Sequence, residues 1–469
     1  MTMQRAVVIG GSIAGLCAAR VLADYFDRVT VLDRDSYPAG PLDRAGVPQG
    51  RHVHALLARG RRDLERLFPG FEQRMLAAGA HEIDIGCDFA TLRGTSWAVR
   101  EESGIRTLFA SRTLLETIVR DLLRALPRVE LVERTAATGL VAERDGRTRV
   151  RAVRLADGQL PAELVVDATG RGSKAPDWLR ALGLAPPAET LVDSHSGYAT
   201  RWYRAPEPAR WPAQWWWKGI WVDPHEPEHM TAGVLFPAEG GRWIVTIAGI
   251  AGHYPPSDEA GFGAALGRLR SPIIAHAVQL AEPISPVYSN RAMANRFRHF
   301  ERWPERLDGF LAVGDAVCAF NPVYGQGMTT AAGAATLLAE TLDRVGPTSP
   351  ALPRTFFRAQ ARFLGDAWSL ATGADFRFPG TTGARPALIG VFNRYLDALF
   401  NAAADDADLR RLIGEVIHML RRPTAFFAPS VLGLVARATL GRVLQPAAAK
   451  PVPALPAAWR GVDSPGATT

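Results

Sequence analysis

Cysteine is scarce here: Cys17, Cys87 and Cys318 are the three that occur in 469 residues, far apart and without CxxC spacing. That excludes a disulfide framework or a cysteine zinc site and fits a reducing compartment, so a cytoplasmic location is expected. Lysine occurs only at Lys174, Lys218 and Lys450, so the formal charge of +7 rests on scattered arginine. No Lys/Arg block with interleaved aromatics appears, and no nucleic-acid partner is expected. Nor is there an apolar run long enough to span a bilayer. The N-terminal stretch, with Arg5, AVVIGG and LCAAR, lacks a basic region of useful length, which argues against a signal peptide.

What is present is a large apolar content, 47% of a chain too long for one ordinary domain. RAVVI, Arg5 to Ile9, reads as a buried strand, GGSIAG as a turn, LCAARVLADY as a helix and RVTVLDRD as a second strand reaching Asp33. This is the first unit of a doubly wound sheet, whose strand–helix turn binds a pyrophosphate. Gly10 permits the bend and Gly15 close helix packing. Ser12 stands where a glycine is usual, and is compatible if its hydroxyl bonds the phosphate. Asp33 falls about twenty residues past the glycines, where a ribose-binding acid belongs. The string approaches a G-x-S-x-G nucleophile elbow, but Ala14 takes the second glycine's place.

A second cradle lies far downstream in GDAVCAFNPVYGQGM, Gly314 to Met328. The strand FLAV delivers Asp315, an acceptor-only group suited to a sugar or ribityl hydroxyl. A Pro- and Gly-rich turn through Pro322 and Gly325 then opens a helix at Gly327 and Met328, whose free N–H groups favour an anion. Together the two stretches suit a flavin. Arg112 adds a hint of a bound anion, since a cation in the first turn of the helix capped by Ser111 opposes its dipole; a solvated side chain is the alternative.

In this order GGSIAG, VLDRD, RAGVPQGRHVHALL and GDAVCAFNPVYGQGM resemble the FAD-dependent aromatic hydroxylase superfamily, over residues 5 to 380. They are most similar to its branch of squalene-epoxidase-like and polyether-polyene epoxidases of natural-product pathways. The resemblance implies an α/β fold: a Rossmann-like FAD-binding domain of glutathione-reductase type, an inserted β-sheet substrate domain and C-terminal helices. Residues 1–80, 110–185 and 295–345 would form the FAD domain, 81–109 and 186–294 the substrate sheet, 346–445 the helical region and 446–469 a disordered tail. It implies that Ile13, Ala14, Asp33 and Arg34 contact the adenosine half, that Ala136 meets the adenine, and that Arg44 lies beside the pyrophosphate or isoalloxazine, where a fork of donors suits phosphate. A surface salt bridge is the alternative for Arg44. The matching arginine, Arg112, would also contact FAD. The usual second motif begins Asp-Gly, whereas this chain has DATG at Asp167, which leaves nicotinamide docking open.

His52 and His54 lack a third metal ligand at recognisable spacing, so a structural pair is expected and no metal. Residues 81 to 109 read as a strand and a hairpin turning at Ser103–Gly104, and Val129 to Gln159 as a three-stranded meander. Trp211, Trp215, Trp216, Trp217 and Trp221 crowd the next segment. They are either ordinary sheet packing or an aromatic wall for a large apolar substrate; Trp215, Trp217 and Phe236 are the candidate pocket residues. WWWKGIW is not the W-x-W-x-I-P string of flavin-dependent halogenases, and no lysine precedes Lys174. Helices are expected over Arg354 to Leu370 and in two later amphipathic stretches, which cover the cavity mouth or a protomer contact, with membrane-surface contact as the alternative. The implied activity is monooxygenation of a lipophilic natural product, by epoxidation or hydroxylation, with one atom of O2 carried on a flavin C4a-hydroperoxide. NAD(P)H or a partner flavin reductase would supply electrons. No catalytic acid or base is compulsory; Tyr324 is a shaping candidate. A prenyl-type reductase and a non-catalytic flavoprotein are the rivals.

Overall fold

Five apolar runs build a parallel sheet: β1 Arg5–Ile9, β2 Arg28–Leu32, β3 Val129–Val132, β4 Leu164–Asp167 and β5 Phe310–Ala312. Their order is β5-β4-β1-β2-β3, with Val7 level with Val165 on one side and Thr30 on the other. The computed structural model of the chain describes residues 4–444 except 95, 227 and 292. The tail expected at 446–469 lies outside the described residues. The inner strands are near-continuous Val, Ile and Leu because both faces are buried, with helices and the antiparallel meander in the shared core. One of these helices is α1, Ile13–Leu22, which returns from β1. The fold is thus a Rossmann-like α/β domain of the type found in FAD-binding proteins, with an inserted sheet and C-terminal helices.

Three further helices matter for the site: α2 Arg112–Arg124, α3 Gly327–Val345 and α4 Leu352–Asp375. The small residues after the second cradle let α3 pack closely on α1, with Ala332 and Ala335 buried in the shared core. Helices Ile389–Ala403, Ala407–Ile417 and Pro429–Leu444 share an apolar core of their own through Leu399, Leu409, Leu412 and Val416. The Arg410 guanidinium grips both oxygens of Glu101, tying these helices to the inserted sheet. Among the described residues no helix is long and apolar enough to cross a membrane.

The inserted sheet is built from Phe89–Arg93, Gly197–Arg204, Gly219–Val222, Thr231–Ala238 and Arg242–Gly249, with shorter strands at its edges. Alternation along these strands sorts side chains onto two faces. Leu235, Trp243, Val245 and Ile247 pack outward against helices Glu259–Gly267 and Ile273–Gln279, through Phe262, Leu266 and Ile274. Tyr198, Val234, Phe236, Thr246 and Ala248 belong to the opposite face and line a cleft.

Three sequence expectations need correcting. VELV does not begin the meander: it is β3, at the edge of the parallel sheet, and the meander is Gly139–Asp145, Arg147–Leu155 and Gly158–Pro161. The turn at Ser103–Gly104 is not a hairpin tip. Strand His81–Asp84 pairs with Arg106–Phe109 across a longer excursion, and the Asp84 carboxylate ties that excursion down, accepting from the amides of Gly86, Cys87, Ser103 and Gly104. Finally, α4 runs on past Leu370 to Asp375.

Candidate functional site

The first turn works because two glycines meet backbone at close range. A Cβ on Gly15 would stand 1.8 Å from the Gly10 carbonyl oxygen, and Gly10 itself, at φ +104°, lies against the Ala168 carbonyl. The Gly11 amide donates to Asp33 Oδ2 at 3.0 Å, fixing the end of β2 beside the turn. Ser12 is the N-cap of α1 without capping it by its side chain, and no acid sits in the first turn. Its hydroxyl instead donates to Glu116 Oε2 at 2.7 Å and accepts from Arg112 Nη2 at 2.9 Å. The leading amides of α1 are therefore left open, as an anion site requires.

Arg44 lines the cleft but is saturated by protein acceptors. Nη1 reaches Asp33 at 3.0 Å and Asp35 at 3.1 Å, Nη2 the Gly11 carbonyl at 3.1 Å, and Nε Glu116 at 2.9 Å. Burial works against its charge, yet Glu116 and Asp33 hold its pKa above the ordinary value. The fork expected to meet phosphate is thus directed at three carboxylates, and the ion pair is buried, not superficial. Arg112 differs. It is 8% exposed, and its Nε is buried without a partner among the described residues. A donor left unpaired inside a protein is costly, and an anionic ligand would relieve it.

The second cradle meets the first directly. At Gly314, φ +61°, an added Cβ would lie 2.7 Å from Ala14 Cβ, so residues three hundred positions apart are in contact. Asp315 follows, with no hydrogen bond from any described residue. Burial raises its pKa, against the lowering effect of Arg171, Arg112 and Arg296. Gly325 adopts φ +65°, and α3 then starts at Gly327 with neither a side-chain cap nor an acid in its first turn.

One cleft of about 670 Å³ joins these features. Gly10, Ser12, Ile13, Ala14, Asp33, Arg34, Arg44, Arg112, Ala136, Asp315, Pro322, Gly325, Gly327, Met328 and Phe236 all line it. Gly15 sits one layer behind as a packing residue. Trp215 and Trp217 do not reach it. Trp217 is fully buried in the outward core of the inserted sheet, with Trp211, Trp215 and Trp243 around it. Parity on the neighbouring strand selects Trp221 for the cleft instead. Tyr324 turns away, donating to Asp375 Oδ1 at 2.7 Å. Sequence reading passed over Arg171, Tyr198, Thr246 and Asn290, which also line the cleft. Arg171 is held by the carbonyls of Ala294 at 2.5 Å and Phe320 at 2.7 Å; the DATGRGS string marked the neighbourhood but not the role.

His52 and His54 are a structural pair on the cleft wall. His52 Nδ1 meets Thr200 Oγ1 at 2.9 Å and its ring stands edge-on to Tyr198, while His54 Nδ1 donates to the His52 carbonyl at 3.0 Å. No metal-holding group of acids, histidines or cysteines occurs among the described residues. Burial lowers the pKa of His52 to about 4 and that of His54 to about 3. Both are neutral in the fold, whereas the unfolded chain takes up protons below about pH 6.5. Their contribution is complete above that pH and is lost as pH falls toward the folded values. Urea unfolding should therefore show His52 alone removing about 2 kcal/mol between pH 7 and pH 5 by linkage. His52→Gln should flatten that acid limb; an unchanged slope would contradict it.

The polar groups fit a dinucleotide carrying an isoalloxazine: as donors the open amides on α1 and α3 and the orphaned Arg112 Nε, and as acceptor the unsatisfied Asp315 carboxylate. No protein-family model matches the chain. It is 34% identical over 396 residues to Protein Rv3254 of Mycobacterium tuberculosis (strain ATCC 25618 / H37Rv), an alignment covering 81% of each protein. Among solved structures it is similar to the flavin-dependent brominase Bmp2, with TM-score 0.65 and 15% identity over 94% of this chain and 99% of that one. PqsL, a probable FAD-dependent monooxygenase from Pseudomonas aeruginosa, aligns with TM-score 0.58 and 19% identity over 81% and 98% of the two chains. At these identities the solved structures establish the fold.

Proposed function

The chain belongs to the same family as Protein Rv3254, and from that premise we propose that it is an FAD-dependent monooxygenase acting on a lipophilic small molecule by alkene epoxidation or hydroxylation. The observation that carries the reading is the meeting of two distant turns at Gly314 and Ala14 around one cleft. The solved structures that share this fold include enzymes described as a flavin-dependent brominase and a probable FAD-dependent monooxygenase.

Bound FAD would supply the activation of O2 and the transfer of one oxygen atom. The chain's own residues bind and shape. The first amides of α1, with Arg112, offer donors to the pyrophosphate, and the cleft face of Asp33 offers an acceptor to the adenosine ribose. Asp315 accepts from a ribityl hydroxyl, and the positive end of α3 favours negative charge on the ring system. Trp221, Val234, Phe236 and Ala248 give the other side of the cleft an apolar wall that excludes water and orients the substrate. No charged side chain is needed there as acid or base. Electrons come from NAD(P)H or from a separate flavin reductase.

Purified protein should carry flavin absorption bands or take up added FAD stoichiometrically. With a reductant and an apolar substrate it should consume O2 and leave one labelled oxygen atom from isotopic O2 in the product. Saturation of a double bond under anaerobic conditions would replace this reading with the reductase one. A colourless protein that refuses FAD would end it.

A further inference from the structure

Behind the cleft-lining turn Asn321–Gly325 lies a polar cluster that neither cofactor nor substrate contact explains. Its centre is Asp375, the last residue of α4, 1% exposed. Tyr324 Oη donates to Oδ1 at 2.7 Å, Asn321 Nδ2 to Oδ1 at 3.3 Å and Asn295 Nδ2 to Oδ2 at 2.5 Å. The Ser194 hydroxyl also turns toward it. Asn295 Oδ1 accepts the Asn321 amide at 2.7 Å, and Asn321 Oδ1 accepts the Val323 amide at 3.2 Å, so the grip passes into the backbone of the turn. Asn295 and Asn321 are 0% and 2% exposed. No cation lies within ion-pair distance of Asp375 among the described residues; nearby Arg377 is paired with Asp397.

A buried carboxylate without a counter-charge is expensive and persists where neutral donors satisfy it. Here the donors come from the strand Asn295–Arg298, from the segment after strand Glu189–Asp193, and from the turn itself. Only an acceptor-only group serves them all. An amide would turn an N–H toward a donor and leave part of the cluster unpaired. Asn321, Pro322, Val323 and Gly325 line the cleft on the other side of the turn.

We infer that Asp375 is a positioning residue: from the end of α4 it holds Asn321–Gly325, and with it the start of α3, in the geometry that a bound cofactor needs. The cofactor arm of this inference rests on the flavin reading; the arm concerning the turn does not. Asp375→Asn keeps the volume and removes the acceptor-only character. In the cofactor-free protein, amide hydrogen exchange at residues 321–328 should quicken roughly tenfold to a hundredfold, the worth of a charge-assisted hydrogen bond, while β1 and β4 keep their protection. In the FAD-loaded protein the dissociation constant for FAD should rise about tenfold, with an altered visible circular dichroism band. Tyr324→Phe, which removes one donor, should move both readouts in the same direction by less, and serves alone if Asp375→Asn does not fold. Exchange that quickens evenly across the chain, or an unchanged turn and spectrum beside a lower Tm, overturns the inference. A wild-type protein that takes up no FAD removes the flavin reading, and the exchange comparison still decides the role of Asp375.

Discussion

Gly15→Ala is expected to yield a protein that retains no FAD and loses more than about 3 kcal/mol of stability, beyond the usual range for overpacking. The added Cβ would sit 1.8 Å from the Gly10 carbonyl oxygen. Both atoms are fixed by backbone, so no rotamer relieves the clash, and α1 must move off β1. That movement carries the leading amides of α1 away from the cleft and opens the contact between Ala14 and Gly314. Gly40→Ala is the control, since an added Cβ there would meet nothing within 4 Å beyond its own chain neighbours. Urea unfolding and FAD titration read both variants; near-equal behaviour would mean that the first turn tolerates displacement and is not the cofactor's anchor.

Arg44→Met should cost about 3–5 kcal/mol, because it removes the guanidinium that three carboxylates share and leaves Arg112, 3.5 Å from Glu116, as the remaining ion pair. Asp33 is 6% and Glu116 5% exposed, and Asp35 completes the set at 3.1 Å. Without Arg44, these charges repel one another in a site that water barely reaches. The loss should appear in the cofactor-free protein, which separates it from any direct contact with phosphate. Adding Glu116→Gln should restore part of the stability, since one of the three repelling charges is then neutral; coupling of this kind is what neighbouring substitutions show. A loss below about 1 kcal/mol would place Arg44 with ordinary surface pairs.

The two turns were legible in the chain because each is a local solution. GGSIAG between RAVVI and a small-residue helix, and GDAVCAFNPVYGQGM before another, carry their geometry in glycine, proline and the residues that flank them. Asp315 was readable because it sits in the turn just past strand FLAV. Arg112 was readable from its place in a helix whose dipole it opposes. The tryptophans were not. Trp215, Trp217 and Trp221 lie within seven residues of one another, and composition alone gives no face. The register of Gly219–Val222 against its neighbours sends Trp221 to the cleft and leaves Trp217 in the opposite core. The Glu116 partner of Arg44 was equally hidden, since it is 72 residues away.

The sequence by itself determined the parallel sheet except its edge strand Val129–Val132, the uncapped helix starts and the acids and arginines near them, because propensity, periodicity and turn chemistry act over a few residues. Only the tertiary structure decided which charges meet, which face of the inserted sheet looks into the cleft, and that Asp375 stands behind the second turn. Those outcomes depend on strand register and on packing between segments hundreds of residues apart, and no local pattern encodes either.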